Sequence, residues 1–188
     1  MASFNTGLAI MNRQDYKLSF NQELVEFIAY SAICFLVPFF IGHPQWVTGI
    51  IVNSALILTA LNLKSRMLLP AIMLPSLAVL SRGLIFGPFT HFLLYMIPFI
   101  WAGNTILVYT FKKLRLEKKI NRFIVLLIGS GAKAIFLFSA AFVLFKLNFI
   151  PAVFLSAMGI TQFYTAAAGG IVAFGVHSAK SWKRRREQ

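Results

Sequence analysis

Acidic side chains are almost missing from this chain. Of its 188 residues only Asp15, Glu23, Glu26, Glu117 and Glu187 are carboxylates, against 18 lysines and arginines. All five lie outside the long apolar runs, in flanks, loops or tails. That leaves no acidic relay inside a membrane for proton-coupled transport. The single cysteine, Cys34, excludes an intramolecular disulfide and any cysteine-based metal cluster, and its place in an apolar run reads as an inert core thiol. Paired carboxylates, His-Glu-x-x-His, Gly-x-Ser-x-Gly and the P-loop are absent too. The sequence therefore offers neither an enzyme active site nor an ATP site, and it implies no cofactor. Ser130 stands three residues before Lys133, but two residues are too short a pattern to define a Ser/Lys dyad.

What the chain has in abundance is apolar surface. It is 59% hydrophobic and 12% charged, with a mean hydropathy of +0.77, where soluble domains carry about 25% charged residues. A spanning helix needs about 20 mostly apolar residues, and six segments qualify: 24–41, 46–63, 67–87, 89–111, 123–145 and 149–176. The second is the weakest, diluted by Thr48, Asn53, Ser54, Thr59 and Asn62. With six crossings and the N-terminus inside, fifteen cations fall on the cytoplasmic side and only Lys146 in an outer loop, the asymmetry of the positive-inside rule. The net charge of +13 then needs no nucleic acid to explain it, and the run Lys183 to Arg186 serves as an orientation signal that also suits anionic membrane lipid. The expected fold is all-α: a polytopic membrane protein with six transmembrane helices in one compact bundle, both termini cytoplasmic, in the cell (inner or plasma) membrane. Residues 1–23 form a cytoplasmic N-terminal segment with no signal-peptide pattern, 24–176 the transmembrane domain and 177–188 a basic tail. The outer connections, Gly42 to Gln45, Gly87-Pro88 and Lys146 to Asn148, are very short. Pro70, Pro75 and Pro98 are expected to bend the third and fourth helices.

Two cations, Arg82 and Lys133, interrupt the apolar runs. A charge at the bilayer centre costs at least ~2.5–3.5 kcal/mol and is rarely kept without a partner. No carboxylate is placed to serve, which leaves backbone carbonyls, a wet cavity or an anion from outside. Lys133 falls near the midplane. Arg82 falls in the outer third of its helix, where its long stem can also snorkel to the interface. His91, Tyr95, Pro98, Ala102 and Thr105 share one face of the fourth helix, and Thr161, Gln162 and Thr165 one face of the sixth. Asn104 and Gln162 are candidates for ligand contact or for hydrogen bonds between helices. The candidate substrate-binding set is thus Arg82, His91, Tyr95, Asn104, Lys133, Gln162 and Thr165. Ala166/Gly170 and Gly169/Ala173 have the small-xxx-small spacing that lets helices approach closely, inside the bundle or against a partner membrane protein.

Small size, six helices, minimal loops, inner termini and a polar pocket in the outer half make a combination over residues 20–177 that resembles the substrate-binding S components of energy-coupling factor (ECF) vitamin transporters. Those proteins typically carry Ala-x-x-x-Ala on the first helix, whereas here Ala29 is followed four residues on by Ile33. The resemblance implies capture of a scarce, anionic, vitamin-like small molecule, followed by association with a transmembrane coupling subunit and ATPases supplied by other chains. It also implies that Arg82 and Lys133 neutralise the substrate, that Tyr95, Trp101 or Phe163 stacks on a ring, and that Asn104 and Gln162 fix its orientation. Two other classes suit the same features: an accessory or assembly subunit bound to another membrane protein, and a lipid-handling membrane enzyme or flippase that holds a phosphate headgroup.

Overall fold

The computed structural model describes residues 7, 9–41, 43–83 and 85–186, without the side chain of Arg185. Gly42 and Glu187, named above, lie outside the described residues, as does the extreme N-terminus. The described chain is all-helical and holds no strand: α1 Phe20–Phe40, α2 Gln45–Asn62, α3 Leu69–Arg82, α4 Leu93–Thr110, α5 Arg122–Lys146, α6 Val153–Met158 and α7 Ile160–Arg186. Two 3-10 stretches, Ser65–Leu68 and Gly87–Phe92, lead into α3 and α4, and α4 runs on into a π-helical stretch, Phe111–Glu117.

Local chemistry sets the boundaries. Ser19 and Gln22 form a capping box at the start of α1, satisfying two backbone donors that the first turn leaves free. Asn121 caps α5 by accepting from the Phe123 amide. Gly83, with φ of +70°, ends α3 in the left-handed conformation that glycine adopts without strain. Pro70 sits in the first turn of α3 rather than inside it, where its missing N–H is of no consequence. Pro75 and Pro98 are internal, as is Pro38 near the end of α1.

Five helical stretches are long and apolar enough to cross a membrane: Phe20–Phe40, Gln45–Asn62, Gly87–Glu117, Arg122–Lys146 and Val153–Arg184. They make this a membrane protein. The expected span at 67–87 is instead a shorter helix. Gly83 stops α3 after 14 residues, about 21 Å at ~1.5 Å per residue, against a hydrocarbon core of ~30 Å. The expected last span, 149–176, divides at Gly159 into α6 and α7. A Cβ on Gly159 would come within 2.8 Å of the Leu155 carbonyl oxygen.

The least apolar of the expected spans is the centre of the bundle. Every residue from 52 to 63 is buried, so α2 is surrounded by protein and its hydroxyls and amides meet other helices instead of lipid. It packs along α7 through small residues. Gly169 lies against the Ile50 carbonyl and Ser54 amide, and Ser54 Oγ donates to the Gly169 carbonyl at 2.9 Å. Gly170 accommodates Leu126 of α5, and Ala166 and Ala173 are fully buried. The four small residues are therefore spent inside the bundle and offer no surface to a second protein. Large apolar side chains point outward instead, including Ile124, Leu127, Ile128, Ile135 and Phe142 along α5.

The four described carboxylates all gather at one end with most of the basic residues. Glu26 accepts from Asn62 Nδ2 at 2.7 Å and Tyr30 OH at 2.8 Å, and pairs with Lys180 at 3.3 Å and Arg184 at 3.2 Å. Glu23 pairs with Lys64 at 3.1 Å and Glu117 with Arg13 at 3.9 Å, and Asp15 lies 3.3 Å from His177 Nε2. The fully buried Lys112 donates to the carbonyls of Leu63 and Arg13, tying the end of α2 and the N-terminal segment to the π-helical stretch. Burial, with Glu26 and Asp15 adding to it, pushes the Tyr16 phenol up to about 12. A raised phenol favours the folded state fully below its unfolded pKa of ~10 and loses that contribution as pH rises towards the folded value. Stability is therefore expected to fall between about pH 10 and pH 12, and Tyr16→Phe to flatten the fall. A pH series of melting temperatures for the two proteins measures it, and identical slopes would remove Tyr16 from the account.

Candidate functional site

The end of the bundle away from the acid–base cluster holds a cavity lined by residues of all seven helices, α1 to α7. Its volume is about 100 Å³. Apolar walls come from Val52, Val79, Ile100 and Met158, with Ile85 and Phe86 from the connection before α4. Phe86 is held in place by stacking on Phe154, with ring centroids 4.7 Å apart.

Lys133 is the cation of this wall. It lies 11 residues into the 25-residue α5, near mid-helix, and is 2% exposed. Its Nζ donates to Asn53 Oδ1 at 2.7 Å. Asn53 is fixed in turn: its Nδ2 donates to the Gly49 carbonyl at 2.9 Å and to Thr165 Oγ1 at 3.3 Å. Thr165 then donates to the Thr161 carbonyl at 2.6 Å. One chain of hydrogen bonds thus links α5, α2 and α7. It sets the direction of the lysine head but neutralises none of its charge, since no carboxylate lines the cavity among the described residues. When protonated the amine has three N–H donors, and the two left after Asn53 have no protein acceptor among the described residues.

The remaining polar wall is neutral. Asn104 donates through Nδ2 to the Ile72 carbonyl at 2.9 Å, the carbonyl of α3 four residues before Ser76. Gln162 donates to the Ala157 carbonyl at a long 3.4 Å, and Gln45 lines the mouth from the first turn of α2. Ser76 accepts from Trp101 Nε1 at 2.8 Å and donates to the Met73 carbonyl at 3.0 Å. Among the described residues, no group of three His, Cys, Asp or Glu stands ready to hold a metal ion.

Of the seven residues read from the sequence, Asn104, Lys133 and Gln162 line the cavity. Thr165 stands behind Asn53 and braces it. Arg82, His91 and Tyr95 are exposed and lie outside the cavity wall. α3 ends at Arg82, and the guanidinium lies 5.7 Å from the ring centroid of Phe39 on α1. His91 leans on Phe92, with centroids 4.0 Å apart, and Tyr95 on Phe149 at 5.5 Å. Trp101 braces Ser76 without lining the wall, and Phe163 is outside it. Asn53, Gln45, Ser76 and Phe86 are wall residues that sequence reasoning does not single out. For Asn53 a signal is present, a carboxamide in mid-helix beside Ser54, which hydropathy alone registers as mere dilution of an apolar span.

No protein-family model, curated protein or solved structure matches the chain.

Proposed function

We propose that the protein binds an anionic, vitamin-like small molecule inside the membrane and takes part in its uptake, energised by separate chains, as its resemblance to ECF S components implies. The observation that carries this reading is Lys133, a buried lysine at mid-helix in a cavity without a carboxylate, which when protonated has two N–H donors unspent. A buried ammonium without a counter-ion is costly, and an incoming anion relieves that cost while forming charge-assisted hydrogen bonds. Asn53 holds the lysine head in register, and the amides of Asn104 and Gln162 orient the neutral part of the ligand. In this reading α3 with the 3-10 turn before it makes a short sixth crossing. Both termini face the cytoplasm, since the end bearing Lys64, Lys112, Lys180 and Arg184 satisfies the positive-inside rule. The cavity then opens to the outer face of the cell membrane, and a coupling subunit and ATPases supply the energy.

Native mass spectrometry of the detergent-purified protein, with identification of what denaturation releases, tests this. Wild type is expected to release a small acid in defined stoichiometry. Lys133→Met is expected to insert normally and to bind that acid at least ~10-fold more weakly, the loss of one hydrogen bond to a charged group. Equal retention by the variant would refute the reading, and stoichiometric phospholipid would move the assignment to lipid handling.

A further inference from the structure

Resting on that binding role, the unspent hydrogen-bonding capacity of the wall defines the ligand more narrowly. Most polar groups around the cavity are already satisfied. Asn53 uses both amide atoms on Gly49, Thr165 and Lys133. Ser76 both donates and accepts within the protein, and Thr48 donates to the Ile41 carbonyl at 2.5 Å. Three kinds of capacity are left. One is the pair of N–H donors on Lys133. The second is amide oxygen: Asn104 and Gln162 each engage their nitrogen on a backbone carbonyl, and neither oxygen accepts a hydrogen bond among the described residues. The third is neutral N–H: one amide hydrogen each on Asn104 and Gln162, and the carboxamide of Gln45 at the mouth.

We infer that the cavity selects a singly charged acid whose remaining polar groups are neutral and include an N–H or O–H donor. The acid group meets Lys133, and the neutral donor meets the oxygen of Asn104 or Gln162. A second acid group finds no second cation, because Arg82 rests at Phe39 outside the wall and His91 is exposed. A cationic group finds no carboxylate. Asp15, Glu23, Glu26 and Glu117 lie at the opposite end of the bundle. Dianions, phosphate monoesters and zwitterions each leave one charge buried and unpaired, and a cation leaves both its own and that of Lys133.

The test is the charge and composition of the molecule released from the wild-type full chain, read together with Gln162→Glu and Gln162→Leu. A released monoacid carrying an N–H or O–H group supports the inference, provided that Gln162→Glu weakens its binding at least ~10-fold and Gln162→Leu weakens it less. The glutamate variant sets like charge against the ligand's acid, and the leucine variant controls for packing. A released dianion or phosphate ester overturns the inference and leaves the uptake reading in place. A neutral or cationic molecule, or tighter binding by Gln162→Glu, overturns the charge assignment altogether. Where wild type releases nothing, its melting temperature is followed with millimolar N-acetylglycine and N-acetylaspartate. A rise with N-acetylglycine that exceeds the rise with N-acetylaspartate and vanishes in Lys133→Met supports the inference, the reverse order overturns it, and no rise with either overturns both it and the binding role.

Discussion

Glu26→Ala is expected to destabilise the folded protein by about 3–5 kcal/mol, the range for removing one partner from a buried ion pair. The carboxylate is 7% exposed and holds Asn62, Tyr30, Lys180 and Arg184 together. Without it, two cations of α7 face each other beside a buried amide and phenol with no anion among them. The loss acts on three helices at once, because Tyr30 and Glu26 belong to α1, Asn62 to α2, and Lys180 and Arg184 to α7. Denaturant melts in detergent measure the change, and limited proteolysis of the tail beyond residue 177 gives a local readout. Arg13→Ala serves as the control. Arg13 and Glu117 approach only to 3.9 Å with side chains 47% and 32% exposed, so this pair is worth ~0–1 kcal/mol. A Glu26→Ala effect no larger than the control's would show that the cluster is not what holds this end closed.

Gly169→Ala is expected to cost about 1–3 kcal/mol, the range for overpacking a well-filled interior. A Cβ there would stand 2.7 Å from the Ile50 carbonyl oxygen and 3.0 Å from the Ser54 amide. Both are backbone atoms, so the helices must separate. Separation lengthens the bond from Ser54 Oγ to the Gly169 carbonyl and shifts Asn53, whose Cβ lies 3.0 Å away. Because Asn53 sets the head of Lys133, ligand binding is expected to weaken together with stability. Gly131 and Gly175 meet nothing within 4 Å of an added Cβ. Alanine there is expected to be neutral or stabilising by up to ~1 kcal/mol from helix propensity. Thermal melts of the three variants decide it. Equal melting temperatures would mean that α2 and α7 are not in the close contact described.

The helices were legible because lipid imposes long apolar runs, and a core helix of a soluble domain seldom sustains one of about 20 residues. Lys133 was legible for a related reason: a cation in such a run is conspicuous against its neighbours. Arg82 was equally conspicuous, yet its fate depended on Gly83, whose left-handed conformation ends α3 and leaves the guanidinium at the helix end beside Phe39. Residue spacing does not reveal which way a long side chain turns at a helix terminus. The acid cluster was hidden because its members are scattered from Asp15 to Glu117, and pairings such as Glu26 with Arg184 span 158 positions. Asn53 was hidden by its setting. In a helix the bilayer must solvate, an asparagine lowers the hydropathy, whereas in a helix that other helices surround it is free to organise a site.

The central position of α2 also has a consequence in time. Besides the Ile50 carbonyl of its own helix, Ser54 has an acceptor on Gly169, 115 residues further along the chain. At ~5–20 residues per second, roughly 6–23 s pass between synthesis of the two. During that interval α2 lacks the helix it packs along, and Ser54 and Asn53 have only the Ile50 and Gly49 carbonyls of their own helix to donate to. A nascent chain stalled before α7 is therefore the form most exposed to membrane quality control, and truncations ahead of Gly169 should be cleared from the cell, not accumulate as shorter bundles.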